Sequence, residues 1–228
     1  MKPVTRAVVL LVSVACALGA TAPSGSASTR AASAPTAART GEAYVSLRHP
    51  QAVHASGREV LEVFWYGCQH SQLLEQPLEE WAARQPADVV VRRLPAVWPG
   101  TSDQTVQRAH ARLYFTLEQL GEVNRLQRAV FHAVRDQHRD LTTEAAAADW
   151  AESQQVDRAR FAAAYESEQV RAEVEQAPQD LARYEIDELP SVVVQGRYRT
   201  APTKAGGVEA IPHVLDQMLS QARSSHTA

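Results

Sequence analysis

The sequence predicts an α/β domain whose sheet is interrupted by a block of helices. Three observations predict it. Strand signals cluster towards the two ends of the chain, with a long helical stretch between them. The first cluster reads strand–helix–strand, and a right-handed crossover joins its strands if they are parallel. The last cluster reads as a strand, a tight turn, a returning strand and a closing helix.

The elements follow in order. Ala43 to Leu47 is a short edge strand, and the Val-, Leu- and Phe-rich run from Glu59 to Phe64 is a stronger one. Leu73, Leu74, Leu78 and Trp81 recur at helical spacing and predict a helix over 69–84 with these side chains on one face. Val89 to Leu94 reads as a strand stopped by Pro95. Val106, Ala109, Leu113, Leu117 and Leu120 mark a helix ended by Gly121, and Val123, Leu126, Val130 and Val134 mark the next. Thr143–Trp150 and Arg158–Tyr165 predict two short helices. Val170, Val174, Leu181 and Tyr184 predict a longer one, with a kink or break at Pro178. Ser191–Val194 and Arg197–Arg199 form a hairpin through Gln195-Gly196, and Ile211, Val214, Leu215 and Met218 mark the closing helix, with Pro212 in its first turn. These readings divide the chain into a first sheet segment (43–101), a helical insertion (102–184) and a second sheet segment (185–224).

The N-terminus reads as an export signal over residues 1–22. Lys2 and Arg6 precede an apolar run from Ala7 to Leu18 and a small-residue exit at Ala20-Thr21-Ala22. That run is shorter than the ~20 residues of a spanning helix. Residues 23–42, rich in Ser, Ala and Thr, read as a disordered linker. Cys16 lies inside the signal; Ser13-Val14-Ala15-Cys16 loosely resembles a lipobox, so membrane tethering through Cys16 is the alternative to simple cleavage. The formal charge of −3 becomes −5 without Lys2 and Arg6, and no basic stripe is present, so nucleic acid is not an expected partner. With Cys16 discarded, one cysteine remains and no internal disulfide can form.

That cysteine, Cys68, stands where a strand passes through Gly67 into a helix. A sulfur at a helix N-terminus meets free N–H groups and the positive end of the helix dipole, which favour the thiolate. His70 can pair with the thiolate when protonated, and Ser71 is placed to donate its hydroxyl to the same sulfur. A redox Cys-x-x-Cys pair would have its second sulfur at position 71. His110, His132 and His138 lack any metal-ligand spacing and read as helix-surface or packing residues; no metal or other cofactor is expected.

Three separated segments carry a resemblance. They are Phe64-Trp65-Tyr66-Gly67-Cys68-Gln69-His70, Arg92-Arg93-Leu94-Pro95-Ala96-Val97, and Leu189-Pro190 followed by Val192-Val193-Val194-Gln195-Gly196-Arg197-Tyr198. Together they resemble the DsbA family of periplasmic thiol:disulfide oxidoreductases, over roughly Ala43 to Arg223. The resemblance implies a thioredoxin-like fold with an inserted helical domain. It implies a cis Leu189–Pro190 bond that offers the backbone of residue 189 to a substrate chain beside the sulfur, and a buried acid at Glu62. It also implies a periplasmic location and, as partners, exported polypeptides with cysteines or disulfides and a membrane redox partner. Three positions depart from the family pattern: Gln69 replaces the proline and Ser71 the second cysteine of Cys-Pro-His-Cys, and Glu188 replaces a glycine before the cis-proline loop.

Ser71 removes one step of the chemistry. A thiolate opens a disulfide through a mixed disulfide that a neighbouring thiol normally resolves. Without that thiol, Cys68 cannot store an oxidising equivalent, yet it can attack a misplaced disulfide and be released by the substrate's own thiol. The expected activity is monothiol exchange of isomerase or reductase type, with glutathione or another small thiol as co-substrate. The alternative expectation is a redox-inactive chaperone or binding module for exported polypeptides. In the first reading Cys68 is the nucleophile, His70 and Ser71 stabilise it, Glu62 tunes proton transfer, and Leu189 and Pro190 hold the substrate.

Overall fold

The computed structural model describes residues 43–224; the export segment, the linker and Cys16 lie outside the described residues. The described elements are β1 (Val45–Ser46), β2 (Arg58–Phe64), α1 (Gln69–Ala83), β3 (Val89–Pro95), α2 (Gln104–Gln119), α3 (Val123–Phe131), α4 (Glu144–Ser153), α5 (Arg158–Tyr165), α6 (Glu168–Arg183), β4 (Ser191–Val194), β5 (Tyr198–Thr200), α7 (Pro202–Ala205) and α8 (Ile211–Ser224). A single wide π-helical turn, His132–Asp136, extends α3.

The five strands form one mixed sheet in the order β1-β5-β4-β2-β3. β2 and β3 are parallel, whereas β4 runs antiparallel to β2, and β5 to β4. Alternation along β2 and β4 sends side chains to two cores. Leu61, Val63 and Val193 join the aromatic and aliphatic side chains of the helical block α2–α6. Val60, Val192 and Val194 pack with Leu74, Leu78 and Trp81 of α1 and Leu215 and Met218 of α8. The sheet thus lies between the block on one face and α1 with α8 on the other.

Local chemistry explains the boundaries. Thr143, Asp157 and Ser167 each cap a helix by accepting a backbone N–H, from Ala146, Arg160 and Val170 respectively. Gly121 leaves α2 at φ +74°, a turn that glycine makes without a Cβ clash. In the β4–β5 turn both Gln195 and Gly196 have positive φ, and a Cβ on Gly196 would lie 2.2 Å from the Gln51 carbonyl oxygen.

Two expectations require correction. Of the kink or break expected at Pro178, the break does not occur: α6 is continuous through it, because Val170, Val174, Ala177 and Leu181 are buried along one face and that packing outweighs one missing backbone hydrogen bond. Leu73 does not share the buried face of α1. It is 48% exposed, since Leu74, Leu78 and Trp81 already form the stripe and a neighbouring residue is turned about 100° from it.

Candidate active site

The register of the central strands assembles the site. Val63 pairs with Ser191 across the antiparallel β2–β4 ladder, which brings the chain entering β4 beside the chain leaving β2. Cys68, the residue that caps α1, is half-buried, and its Sγ lies 3.9 Å from the carbonyl oxygen of Leu189. The Leu189–Pro190 peptide bond is cis. Glu188, the departure before this loop, is anchored: its carboxylate accepts the backbone N–H of Thr203 at 3.1 Å and also the Thr203 hydroxyl, and Ser191 Oγ donates to its carbonyl at 2.6 Å. The Asp187–Arg199 ion pair holds the same loop to β5.

The turn from β2 into α1 is clamped from three directions. Within it, the Cys68 N–H donates to the Trp65 carbonyl at 2.8 Å. The Trp65 indole lies against Gly67 so closely that a Cβ there would sit 2.5 Å from the ring. From α2, His110 accepts the Trp65 Nε1–H at Nδ1, 3.1 Å away. Burial pushes the His110 imidazole down to about 4, so the ring is neutral at neutral pH and carries its proton on Nε2. From the π-helical turn, Arg135 donates to the Gly67 carbonyl at 2.9 Å.

The sequence-predicted residues gather around this turn, although two interactions differ from expectation. Ser71 is fully buried, and its hydroxyl does not bond to Cys68 Sγ; Oγ instead accepts the Trp65 N–H, 3.4 Å away. The reason is geometric. Ser71 lies three and seven residues before Leu74 and Leu78, so it shares their inward face, where the Trp65 N–H, the first beyond β2, needs an acceptor. His70 is exposed on the first turn of α1, and no hydrogen bond joins it to the sulfur.

Glu62 is fully buried on the sheet face that α1 covers. Register places it opposite Arg93, whose Nε donates to Glu62 Oε2 at 3.0 Å. The same guanidinium donates to buried Glu75 at 3.1 Å, and Glu75 accepts a second bond from Gln127 at 2.8 Å. Gln127 in turn accepts from the Tyr66 hydroxyl at 2.7 Å. Two carboxyl groups therefore share one cation. Glu62 holds one hydrogen bond and leaves Oε1 unpartnered, whereas Glu75 holds two. Burial, reinforced by the Glu75 charge, raises Glu62 to about 8, and burial raises Glu75 as well, so the buried pair favours holding a proton at neutral pH. Burial works against the Arg93 charge, and the two carboxylates outweigh it.

Sequence reasoning missed Arg135, the acceptor role of His110, and the Arg93–Glu75–Gln127 chain. Only the last left a trace: Arg92 and Arg93 interrupt an otherwise apolar strand, and Glu75 lies between Leu74 and Leu78. Beside the site, a groove of about 1150 Å³ runs along α1 and α3, lined near Cys68 by Gln69, Gln72, Leu73, His132 and Asp136.

Residues 69–218 match the family described as the DSBA-like thioredoxin domain. The chain belongs to this family. Its fold is that of its thiol:disulfide oxidoreductase relatives. The chain is 33% identical to the thiol:disulfide interchange protein DsbA of Pseudomonas aeruginosa over 186 residues, covering 81% of this chain and 86% of that protein. It is 34% identical to the DsbA of Burkholderia cepacia over 201 residues, covering 87% of this chain and 92% of the relative. The crystal structure of Pseudomonas aeruginosa DsbA superposes with a TM-score of 0.75 at 31% identity, over 82% of this chain and 95% of that one. The oxidoreductase DsbA of Xylella fastidiosa gives 0.69 at 27% identity, over 79% and 95%. Within this DSBA-like fold, Cys68 is the one free cysteine among the described residues.

Proposed function

We propose that this DSBA-like protein is exported to the periplasm and catalyses monothiol exchange on the disulfides of exported polypeptides. The carrying observation is a lone, half-buried sulfur at the N-terminus of α1, 3.9 Å from the Leu189 carbonyl, with a serine buried where a resolving thiol would stand. The N-terminal signal over residues 1–22 supports export.

In the first step the Cys68 thiolate attacks one sulfur of a substrate disulfide. The Sγ–S bond forms, the substrate S–S bond breaks, and the electron pair leaves with the second substrate sulfur as a thiolate. A different substrate thiolate then attacks the mixed disulfide at the substrate sulfur, which expels Cys68 and leaves a new substrate disulfide. No net oxidation occurs, so isomerisation proceeds without a membrane redox partner. Glutathione is the small-thiol co-substrate that releases a stalled mixed disulfide. The backbone of half-buried Leu189, ahead of buried Pro190, holds the substrate chain in extended form beside the sulfur. Ser71 supports the reaction indirectly, by holding the end of β2. Exposed His70, two residues after Cys68 on the first turn of α1, is placed to meet incoming substrate beside the sulfur, and Glu62 lies buried beneath α1.

The test compares the mature protein with Cys68→Ala in reactivation of a scrambled disulfide substrate in glutathione buffer. Wild type is expected to accelerate reactivation and Cys68→Ala to match the uncatalysed rate. Equal acceleration by both proteins sinks the redox reading and leaves a polypeptide-binding role.

A further inference from the structure

We propose that Arg135 is a positioning and specificity residue for the Cys68 nucleophile: it fixes the turn that presents the sulfur and gives the site a permanent positive charge that selects anionic thiol and disulfide co-substrates, such as glutathione disulfide. The inference rests on Cys68 being the nucleophile.

The geometry that carries it begins in α3. The helix ends in a wide turn, in which the Gln137 N–H bonds to the His132 carbonyl five residues back. Such turns rotate the following side chains away from α-helical register and recur at functional sites. Here the rotation brings the Arg135 guanidinium to the Gly67 carbonyl, at 2.9 Å. Gly67 is bonded directly to Cys68. Only the Gly67 carbonyl and the N, Cα and Cβ of Cys68 separate the guanidinium from the sulfur, so the distance is at most roughly 9 Å.

The charge is not consumed elsewhere. None of the ion pairs among the described residues includes Arg135, and its Nε is buried without a partner. Its sequence neighbour Asp136 is turned away: its carboxylate accepts from Gln72 at 3.0 and 3.1 Å and pairs with His132 at 2.8 Å. Asp136 still feels Arg135, since its carboxyl is held below the ordinary range by its His132 and Gln72 bonds and, to a smaller extent, by the Arg135 charge. With His70 exposed and unbonded to the sulfur, Arg135 is the cation that a hydrogen bond locks to the active-site turn.

A fixed cation predicts a charge-dependent signature that a scaffolding role does not. Second-order rates at Cys68 are measured with neutral iodoacetamide and with anionic iodoacetate, and likewise with cystamine and with glutathione disulfide. With glutathione disulfide the Cys68 thiolate forms one new S–S bond and expels glutathione thiolate, so electrons balance within the pair. Arg135→Lys keeps the charge, and Arg135→Gln keeps a donor to Gly67 without it. Arg135→Gln is expected to lower the iodoacetate-to-iodoacetamide rate ratio by roughly twofold to twentyfold, the span for a unit charge at this distance between bulk and surface screening. Arg135→Lys is expected to retain most of the ratio. An unchanged ratio in folded Arg135→Gln overturns the charge role, and loss of the ratio in Arg135→Lys equal to that in Arg135→Gln also counts against it. The readout needs only a reactive Cys68. A wild-type ratio that depends on Arg135, together with failure to reactivate scrambled substrate, overturns the isomerase reading and leaves this one standing.

Discussion

Replacing Glu62 with glutamine tests whether the buried carboxyl pair carries a proton at neutral pH. Glu62 is fully buried, holds one bond from Arg93, and leaves Oε1 without a partner. A glutamine amide is the neutral isostere of the protonated acid. The sign follows from proton linkage. Folded Glu62 titrates at about 8 against 4.5 when unfolded, so between those values the folded state binds the additional proton and stability falls as pH rises. His110 acts in the opposite sense: it titrates at about 4 when folded against 6.5 unfolded, so its contribution rises with pH and is complete above 6.5. The clean window therefore runs from 6.5 to 8. One proton is worth about 1.4 kcal/mol per pH unit, so wild type is expected to lose up to about 2 kcal/mol across it. Urea unfolding at pH 6.5, 7, 7.5 and 8 measures this. Glu75 and Glu118, also raised by burial, keep some slope in both proteins, so Glu62→Gln should show a shallower profile than wild type there and exceed it at pH 8. Parallel profiles for the two proteins, or wild-type stability that increases across the window, would refute the shared-proton network.

Two further outcomes follow from the site. Ser71→Cys places a second sulfur one helical turn after Cys68 and should confer dithiol oxidation: after treatment with an oxidant both thiols resist alkylation, and reduced substrate gains disulfides. If Cys68 and Cys at 71 never bridge, the departure at Gln69 or Glu188 blocks the chemistry and not Ser71. Gly67→Ala drives a Cβ to 2.5 Å from the Trp65 ring, which His110 holds in place, and should cost about 1–3 kcal/mol. Thermal unfolding checks it, and an unchanged Tm would show that the indole moves freely.

Much of this protein was legible in the chain because it rests on local periodicity. The apolar runs of β2 and β4, the stripe of Leu74, Leu78 and Trp81, and the helix start at Gln69 follow from residue type and side-chain spacing alone. So does the position of Cys68, since the Gly67 turn and the residues that flank it lie within a few positions of one another. Errors arose where long-range packing competes with a local signal. Pro178 is a breaker in isolation, yet α6 continues because its buried face pins it against the block. Leu73 has the composition of a core residue but an azimuth that faces solvent.

What the sequence by itself determined was the class of chemistry: one sulfur at a helix start, a serine where its partner would be, and a Leu189-Pro190 segment in the right order. Tertiary structure decided what surrounds that sulfur. The antiparallel register of β2 with β4 set Leu189 beside it, and the parallel register of β2 with β3 set Arg93 opposite Glu62. A wide turn some 70 residues away brought Arg135 to Gly67. These partners are separated by dozens of residues, and no periodic pattern encodes them. They exist because hydrogen-bonded strand pairing and a buried helical block leave each polar group only a few places to find its partner.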